Sequence, residues 1–218
     1  MNVLAIAVHP DDETLGCGGA LLRHAHEGDS LHWLLVTAAD AKHYDEATRA
    51  VQEAQVTQVS AAYPFESQHW LKQPTAHLDL LPTGDLVRLI GAAIAEIRPE
   101  VVYVPSVVDV HSDHQIVHQA SMSVLKAFSM KSLGVRRILA CEVVSETDAG
   151  AGGFTPDVFV DVTDHLERKI AIFANYVGQE HEEWLPRTAS SIRALARHRG
   201  ATVGVEYAEA FHLIRELL

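Results

Sequence analysis

The sequence predicts an α/β fold, a three-layer αβα sandwich with a mostly parallel β-sheet. Two observations support this fold class. Short, continuous apolar runs recur along the 218 residues, and such runs are typical of strands that are buried on both faces. Segments with helical spacing of their apolar residues lie between these runs. An alternation of strands and helices indicates parallel strands that are covered by helices on both faces.

The first half of the expected fold starts with a strand in VLAIAV (3–8). A helix follows from Thr14 to about Gly28, because a glycine commonly ends a helix. LHWLLVT (31–37) is a second buried strand, and a loop at 38–44 leads into a helix over about 45–61. The apolar residues of that helix lie on and around one face: Ala47, Ala50, Val51, Ala54 and Val59.

The middle of the chain contains a weak third strand near 67–71. TGDLVRLIGAAIAEIRPE (83–100) predicts a helix with Thr83 or Asp85 as its cap and a proline past its end. The apolar run VVYVPS (101–106) is the fourth strand.

The last part of the chain continues the alternation. We expect a helix over about 113–129, strands at 136–144 and 157–162, an amphipathic segment at 163–177, and a final strand or helix in YAEAFHLIREL (207–217). The glycine-rich stretch 145–156 is expected to be a loop over one edge of the sheet rather than a domain boundary.

The order of these strands has a consequence for function. In a doubly wound sheet with the order 3-2-1-4-5, the first and fourth strands are neighbours, and ligands bind at their carboxyl ends. HPDDE (9–13) follows the first strand, and DVHSDHQIVH (109–118) follows the fourth. We therefore expect two segments that are distant in sequence to meet in one crevice.

The composition excludes several classes of function. A formal net charge of −12 argues against a broad nucleic-acid-binding surface, which needs a basic patch. No apolar run approaches the roughly 18 residues of a membrane span, and the start, MNVLAIAVHPDDE, lacks the basic region of a signal peptide. Cys17 and Cys141 form no disulfide framework, so a reducing cytoplasm is the expected location.

The two polar segments carry the donor atoms of a catalytic metal site. Imidazole and carboxylate groups bind divalent cations, of which zinc is the usual one, and catalytic sites use three protein ligands and leave a position for water. Of two adjacent aspartates, one can bind the metal while the other acts as a general base. The candidates are His9, Asp11, Asp12 and Glu13 in the first segment and Asp109, His111, Asp113, His114 and His118 in the second.

Two other interpretations of the first segment stay open. Its acidic residues could simply stabilise the positive N-terminus of the following helix. The glycines of LGCGG (15–19) could form a dinucleotide-binding turn, but the G-x-G-x-x-G spacing is absent and the neighbouring carboxylates would repel phosphates. We expect these glycines instead to let the helix pack closely on the sheet, with Cys17 buried.

Both segments also resemble a known family. AVHPDDETLGCGG (7–19) resembles the (A/P)HPDDE signature of the PIG-L/LmbE-like zinc-dependent N-acetylglucosaminyl deacetylases, and DVHSDHQIVHQA (109–120) resembles their second signature, commonly H-P-D-H. Looser similarity runs from QEAQVTQVSAAY (52–63) to RHRGATVGVEYAEAFHLIR (197–215). The resemblance implies one Rossmann-like deacetylase domain over residues 1–218.

The resemblance also implies roles for individual residues. It assigns His9, Asp12 and His114 to Zn2+ (or another divalent ion), Asp11 to the general base, His111 to the oxyanion or the leaving amine, and Asp113 to the orientation of His111. Glu13 belongs to the signature without an assigned chemistry, and we expect it to cap the helix or support the loop.

Three positions depart from the family pattern. Ser112 replaces the proline of H-P-D-H, and Asp109 stands where some members carry a tyrosine. Arg49 is one residue out of register with an arginine of the family, so it is a candidate substrate contact that a solvated helix face explains equally well.

The function implied is zinc-dependent removal of an acetyl group from a small N-acetylated amino-sugar conjugate by metal-activated water. Two alternatives stay open: a zinc amidase acting on a non-sugar N-acyl compound, and a non-catalytic binding module of Rossmann type. We expect no nucleic-acid partner and no membrane span, and a homo-oligomer stays open. Substrate choice is expected to lie in the loops at 38–44, 72–82, 107–112 and 145–156.

Overall fold

A seven-stranded sheet organises the part of the chain that a computed structural model describes, residues 1–150, 152–178 and 182–218. The order is β3-β2-β1-β4-β5-β7-β6. The first five strands are parallel, whereas β7 is antiparallel to both of its neighbours. The strands are β1 (Asn2–Ala7), β2 (Ser30–Ala38), β3 (Phe65–Pro74), β4 (Val101–Val104), β5 (Arg137–Cys141), β6 (Val158–Asp161) and β7 (Ala208–Glu216).

This sheet confirms the predicted α/β class and the predicted order 3-2-1-4-5. β1 lies beside β4, with Val3 paired to Val101 and Ala5 to Tyr103, so the carboxyl ends of these strands share one edge. That edge is the topological switch point, because β2 and β3 continue the sheet on one side and β5 on the other.

Helices cover both faces of the sheet. One core lies beneath α1, α2, α6 and α7, and the other beneath α3, α4 and α5. Alternate residues of β1 belong to opposite cores, which is why this strand is a continuous apolar run in the sequence. The helices are α1 (Asp12–His26), α2 (Glu46–Ala62), α3 (Thr83–Ile97), α4 (Ser112–Val124), α5 (Ala127–Leu133), α6 (Leu166–Phe173) and α7 (Ala189–Val203), with a 3-10 turn at Leu78–Leu80.

The glycines of α1 allow this helix to approach the sheet closely. A Cβ atom at Gly16 would lie 2.9 Å from the Cβ of Cys141 on β5, and one at Gly19 would lie 2.8 Å from the Cγ1 of Val162. Cys17 is buried between them. The packing interpretation of LGCGG is therefore confirmed.

A buried ion pair fixes α1 where its helical geometry is interrupted. Cys17 has φ −145° and ψ 16°, which is not helical. The main-chain amides of Gly19 and Ala20 donate to the two carboxylate oxygens of Glu209, each at 2.8 Å, and the Nζ of Lys169 lies 2.7 Å from the same carboxylate. This contact holds α1, whose first turn carries site residues, against β7.

Several predicted helix boundaries differ from the structure. The helix expected over 113–129 is divided, because Leu125 turns into the core and Lys126 adopts an extended conformation before α5 begins. Pro82 occupies the N-cap position of α3, so the predicted capping by Thr83 or Asp85 is wrong.

The C-terminal third differs most from expectation. Helix α7 was not predicted, and its buried stripe explains this, since Ile192, Ala196 and Gly200 give a weak apolar signal. The final segment is the strand β7, and the amphipathic stretch 163–177 contains the shorter helix α6. Residue 151 of the predicted loop 145–156 lies outside the described residues.

Among the helices described here, none combines the length and the apolar character that crossing a bilayer requires.

Candidate active site

The two polar segments meet at the carboxyl ends of β1 and β4. The Nε2 atom of His114, in the first turn of α4, lies 3.3 Å from the Nδ1 atom of His9. The same nitrogen lies 3.2 Å from the Oδ2 atom of Asp12, the first residue of α1. The convergence expected from the strand order is therefore present, although the segments are about a hundred residues apart.

The arrangement of His9, Asp12 and His114 fits a divalent cation. One potential ligand atom from each residue lies within 4.8 Å of the others. The Oδ2 atom of Asp12 accepts the amides of Val8 and His9, at 3.1 and 2.8 Å, whereas its buried Oδ1 atom has no hydrogen-bond partner among the described residues. Burying a carboxylate oxygen that has no hydrogen-bond donor costs free energy unless a cation takes the place of the missing donor.

Two buried carboxylates set the tautomers of the histidines. The Nδ1 of His114 lies 2.8 Å from the Oδ2 of Asp109, and the Nε2 of His9 lies 3.2 Å from the Oδ2 of Asp113. With these nitrogens protonated, the Nε2 of His114 and the Nδ1 of His9 keep lone pairs facing each other and Asp12. Metal-binding histidines are commonly oriented by such carboxylates.

The charged groups around His114 and Asp12 shift the pKa values of both residues. Burial acts to lower the pKa of His114, but the attraction of Asp12 and the hydrogen bond to Asp109 outweigh it and raise the pKa to about 10. Burial acts to raise the pKa of Asp12, and His114 and His9 hold it well below its usual value instead. The metal-free cluster therefore takes up a proton at neutral pH, and a bound cation would replace that proton.

Asp11 lies beside this cluster with an unusual backbone conformation. It occupies the N-cap position of α1 with φ 128°, a region that residues other than glycine rarely adopt. Its Oδ2 atom lies 2.9 Å from the Nη1 atom of Arg187. Burial and the adjacent Asp12 raise the pKa of Asp11, and Arg187 opposes this increase.

His111 and Asp113 differ from the arrangement implied by the family resemblance. The carboxylate of Asp113 accepts from His9 and from the amide of Ala76, at 3.2 and 2.6 Å, whereas among the described hydrogen bonds Asp113 reaches His111 through its main-chain amide. The hydrogen bond of the Asp113 carboxylate is therefore with His9, and not with His111 as the resemblance implied. The Nδ1 of His111 accepts the amide of Asp113 at 3.1 Å, and burial together with His9 and His114 lowers the pKa of His111.

Glu13 supports the segment from inside the protein. It is 2% exposed, and its Oε1 atom accepts the hydroxyls of Thr14, at 2.6 Å, and Tyr176, at 2.8 Å. Burial raises its pKa to about 7. These contacts agree with the supporting role that we expected for Glu13. His118 lies farther along α4, where its Nδ1 contacts the carbonyl oxygen of Pro105 at 2.9 Å.

A cleft of about 430 Å³ opens over the cluster. All four of the loops expected to choose the substrate contribute to it, and α2 lines it through Thr48, Val51, Gln52 and Gln55. Arg49 lies on the same helix but is not among the described residues that line the cleft. The lining residues are His9, Pro10, Asp11, Ala39, Tyr44, Thr48, Val51, Gln52, Gln55, Thr75, Ala76, His111, Glu146, Val177, Gly178 and Arg187.

The sequence analysis did not assign the roles of three features of the site. Asp109 holds His114, and its other oxygen accepts the hydroxyl of Thr147 at 2.6 Å. Arg187 reaches Asp11 from the C-terminal third, where no sequence pattern marked it. Gln52 and Gln55 lie three residues apart on α2, and this spacing was the available signal for a shared helix face.

Comparison with known proteins identifies a family model and similar structures. The model of the PIG-L family, described as GlcNAc-PI de-N-acetylase, matches residues 4–125. The N,N'-diacetylchitobiose deacetylase from Pyrococcus horikoshii has a TM-score of 0.77 at 19% identity, over 98% of this chain and 84% of that chain.

Two further structures share the fold. A conserved protein from Thermus thermophilus has a TM-score of 0.79 at 25% identity, over 99% of this chain and 96% of that one. The 4-carboxy-2-hydroxymuconate hydratase from Pseudomonas putida has a TM-score of 0.81 at 17% identity, over 100% and 97%. Since a deacetylase and a hydratase share this fold, the reaction must be argued from the site.

Proposed function

This chain belongs to the PIG-L family, and from that membership and the geometry of its site we propose that it is a zinc-dependent hydrolase that removes the acetyl group from an N-acetylated amino sugar. The convergence of potential ligand atoms from His9, Asp12 and His114 within 4.8 Å of one another carries this proposal, and the partnerless Oδ1 atom of Asp12 supports it. Asp11 lies next to these residues and lines the same cleft, which supports a role for it as the proton acceptor beside the metal.

His9, Asp12 and His114 would hold the ion, with Asp113 and Asp109 fixing the two imidazoles. When bound there, a divalent ion supplies Lewis-acid chemistry, which polarises a carbonyl group and lowers the pKa of water. Three protein ligands leave room for the substrate and water, as catalytic zinc sites require.

Asp11 is proposed as the general base. It takes a proton from water as the water oxygen attacks the acetyl carbon, and it returns this proton to the nitrogen of the amine as the C–N bond breaks. Water is consumed, and acetate and a free amino sugar are formed. General-base catalysis of this kind contributes about 100-fold to 10,000-fold to a rate.

His111 is proposed as the donor to the developing oxyanion. Its Nδ1 accepts the amide of Asp113, so the neutral imidazole carries its proton on Nε2. The lowered pKa of His111 favours this neutral form. A fixed N–H donor at such a position typically contributes about 100-fold or more to turnover.

The lining of the cleft favours a hydroxyl-bearing substrate. The Oε1 of Gln52 accepts the amide of Ala39 and the Nε2 of Gln55 donates to the carbonyl oxygen of Val177, each at 2.8 Å. One amide therefore keeps its NH2 group and the other its oxygen for a ligand. Together with Thr48 and Tyr44, these groups can hydrogen-bond sugar hydroxyls.

The test combines metal analysis with an acetate assay. The purified protein is analysed for bound divalent metal and then assayed for acetate release from N-acetylglucosamine, diacetylchitobiose, N-acetylglucosaminyl conjugates and N-acetyl amino acids, before and after chelation. We expect acetate from a sugar amide, lost on chelation and restored by zinc. Release from amino acids alone would favour the non-sugar amidase, and a metal-free protein that releases no acetate would refute the proposal.

A further inference from the structure

Arg187 connects the proposed base to the loop that follows β5. Its Nη1 lies 2.9 Å from the Oδ2 of Asp11, its Nη2 lies 3.0 Å from the Oε1 of Glu146, and its Nε lies 2.9 Å from the Oγ of Ser145. We propose that Arg187 is a positioning residue that holds Asp11 in its catalytic orientation. This inference rests on the proposed function, because it presumes that Asp11 acts as the base.

Asp11 and Asp12 are adjacent, but their carboxylates are fixed in different ways. Asp12 is held locally, by the amides of Val8 and His9 at the end of β1. Asp11 instead receives the guanidinium group of a residue 176 positions later in the chain. The orientation of the metal-binding carboxylate is thus encoded within the first motif, whereas that of the base depends on the C-terminal third.

The guanidinium group is suited to this task. It is planar, always charged, and directs its N–H donors in a fixed fork. Contacts to Glu146 and Ser145 fix the plane of the group, so the direction in which Nη1 meets Asp11 is fixed as well. One oxygen of Asp11 is engaged in this way, and the proposal assigns proton transfer to the other.

The backbone conformation around the contact between Arg187 and Asp11 supports a functional role for this contact. Asp11, Ser145 and Arg187 have φ values of 128°, 73° and 65°, all in the region that favours glycine. Such conformations persist where surrounding contacts determine them, and they concentrate at functional sites. All three residues belong to the same hydrogen-bonded network.

The alternative is that Arg187 only braces the fold. It joins the loop after β5 to the segment before α7, and its loss could loosen both. A brace would affect stability and metal binding together with turnover. A positioning residue would affect turnover while the metal site, whose ligands it does not contact among the described hydrogen bonds, stays loaded.

The experiment compares Arg187→Ala and Arg187→Lys with a control, Arg193→Ala. Arg193 makes an exposed fork with Glu167 on the surface of α7, at 2.7 Å for both bonds. We expect Arg187→Ala to lower kcat about 100-fold, as a displacement of a catalytic group by 1 Å can do, with KM changed by less than about threefold. Metal content and Tm should equal those of the control.

Chemical rescue separates the two roles. Guanidinium ions at millimolar concentrations should raise the kcat of Arg187→Ala but leave Asp11→Asn unchanged, because only the first variant has a cavity of the right shape beside an intact carboxylate. Arg187→Lys should recover part of the activity, since an ammonium group can reach one partner but lacks the fork. A kcat of Arg187→Ala within twofold of wild type, or a loss of kcat with matching loss of metal and no rescue, overturns the inference.

A crystal structure of Arg187→Ala distinguishes this inference from the proposed function. If the wild type hydrolyses no amide, the proposed function fails, whatever Arg187 does. The crystal structure still tests whether Arg187 orients Asp11. A reoriented Asp11 carboxylate, with His9, Asp12 and His114 unmoved, supports this role. An unmoved Asp11 refutes it. If Arg187→Ala does not fold, Arg187→Lys provides the same comparison.

Discussion

The Nδ1 of His114 lies 2.8 Å from the Oδ2 of Asp109, and the side chains are 1% and 0% exposed. Asp109 thereby leaves the Nε2 of His114 as the nitrogen that faces His9 and Asp12. Since the second oxygen of Asp109 is held by Thr147, the carboxylate cannot rotate freely. The orientation of one proposed ligand thus depends on a residue outside the ligand set.

Replacing Asp109 with Asn should weaken metal binding about 10-fold to 100-fold, the typical cost of losing the carboxylate behind a ligating histidine. The amide keeps the shape but removes the negative charge that makes the imidazole a better ligand. The measurement is zinc competition with a chromogenic chelator. Asp85→Asn, an exposed carboxylate of α3, is the control; equal affinities in the two variants would show that Asp109 does not tune the site.

Substitutions of the two adjacent aspartates should have different effects on metal binding and turnover. Asp11→Asn should retain the metal and lose turnover by about 100-fold or more, because the amide cannot accept the proton. Asp12→Asn should lose the metal as well, since its carboxylate is the anionic ligand of the set. Metal content after gel filtration and acetate release are measured for both. Near-full activity in Asp11→Asn would show that another group serves as the base.

Much of the fold followed from the sequence because its signals are local. The apolar runs of β1, β2 and β4 are buried on both faces, so few polar residues interrupt the pattern, and the strand order then placed 9–13 beside 109–118. The close contacts at Gly16 and Gly19 also followed, because glycines clustered within a helix commonly mark a close approach to a neighbouring element.

The remainder could not be predicted because it depends on tertiary contacts. The hydrogen bond from His9 to Asp113 joins two segments, whereas the family resemblance implied His111 as the partner of Asp113. Arg187 is one of many arginines until folding places it against Asp11. Asp109 was visible as a polar residue, but only the fold shows which of its neighbours it orients.

The stability of the protein should depend on pH through Glu13. Burial raises the pKa of this carboxyl from 4.5 to about 7 in the folded protein. A group whose pKa is raised on folding contributes stability that is fully present below the unfolded value and is lost as the pH rises through the folded value. The contribution should therefore disappear between pH 4.5 and about 7, by an amount on the order of 3 kcal/mol.

Glu13→Gln tests this pH dependence. The variant keeps the carbonyl oxygen that accepts from Thr14 and Tyr176 but cannot ionise. Urea unfolding from pH 5 to 8 should give a free energy of unfolding that falls less steeply with pH in the variant than in the wild type. Parallel pH profiles for the two proteins would mean that Glu13 is ionised to the same extent in the folded and unfolded states.

Substrate recognition should depend on the donor that Gln52 presents to the cleft. Its Oε1 is engaged by the amide of Ala39, so Gln52→Glu keeps this contact but replaces the NH2 donor with a negatively charged oxygen. One lost hydrogen bond corresponds to about 1 kcal/mol, so KM for the best sugar substrate should rise about fivefold to tenfold with kcat nearly unchanged, because Gln52 is separate from the proposed reacting groups.

The matched control is Gln119→Glu, which adds the same charge on the exposed face of α4, outside the lining of the cleft. Steady-state kinetics of both variants separate a local hydrogen bond from a general charge effect, because added charge alone would shift KM similarly in the two proteins. A Gln52→Glu variant with the KM of wild type would place the substrate elsewhere in the cleft, away from α2. A decrease in kcat without a change in KM would instead indicate that Gln52 orients the acetyl group for attack.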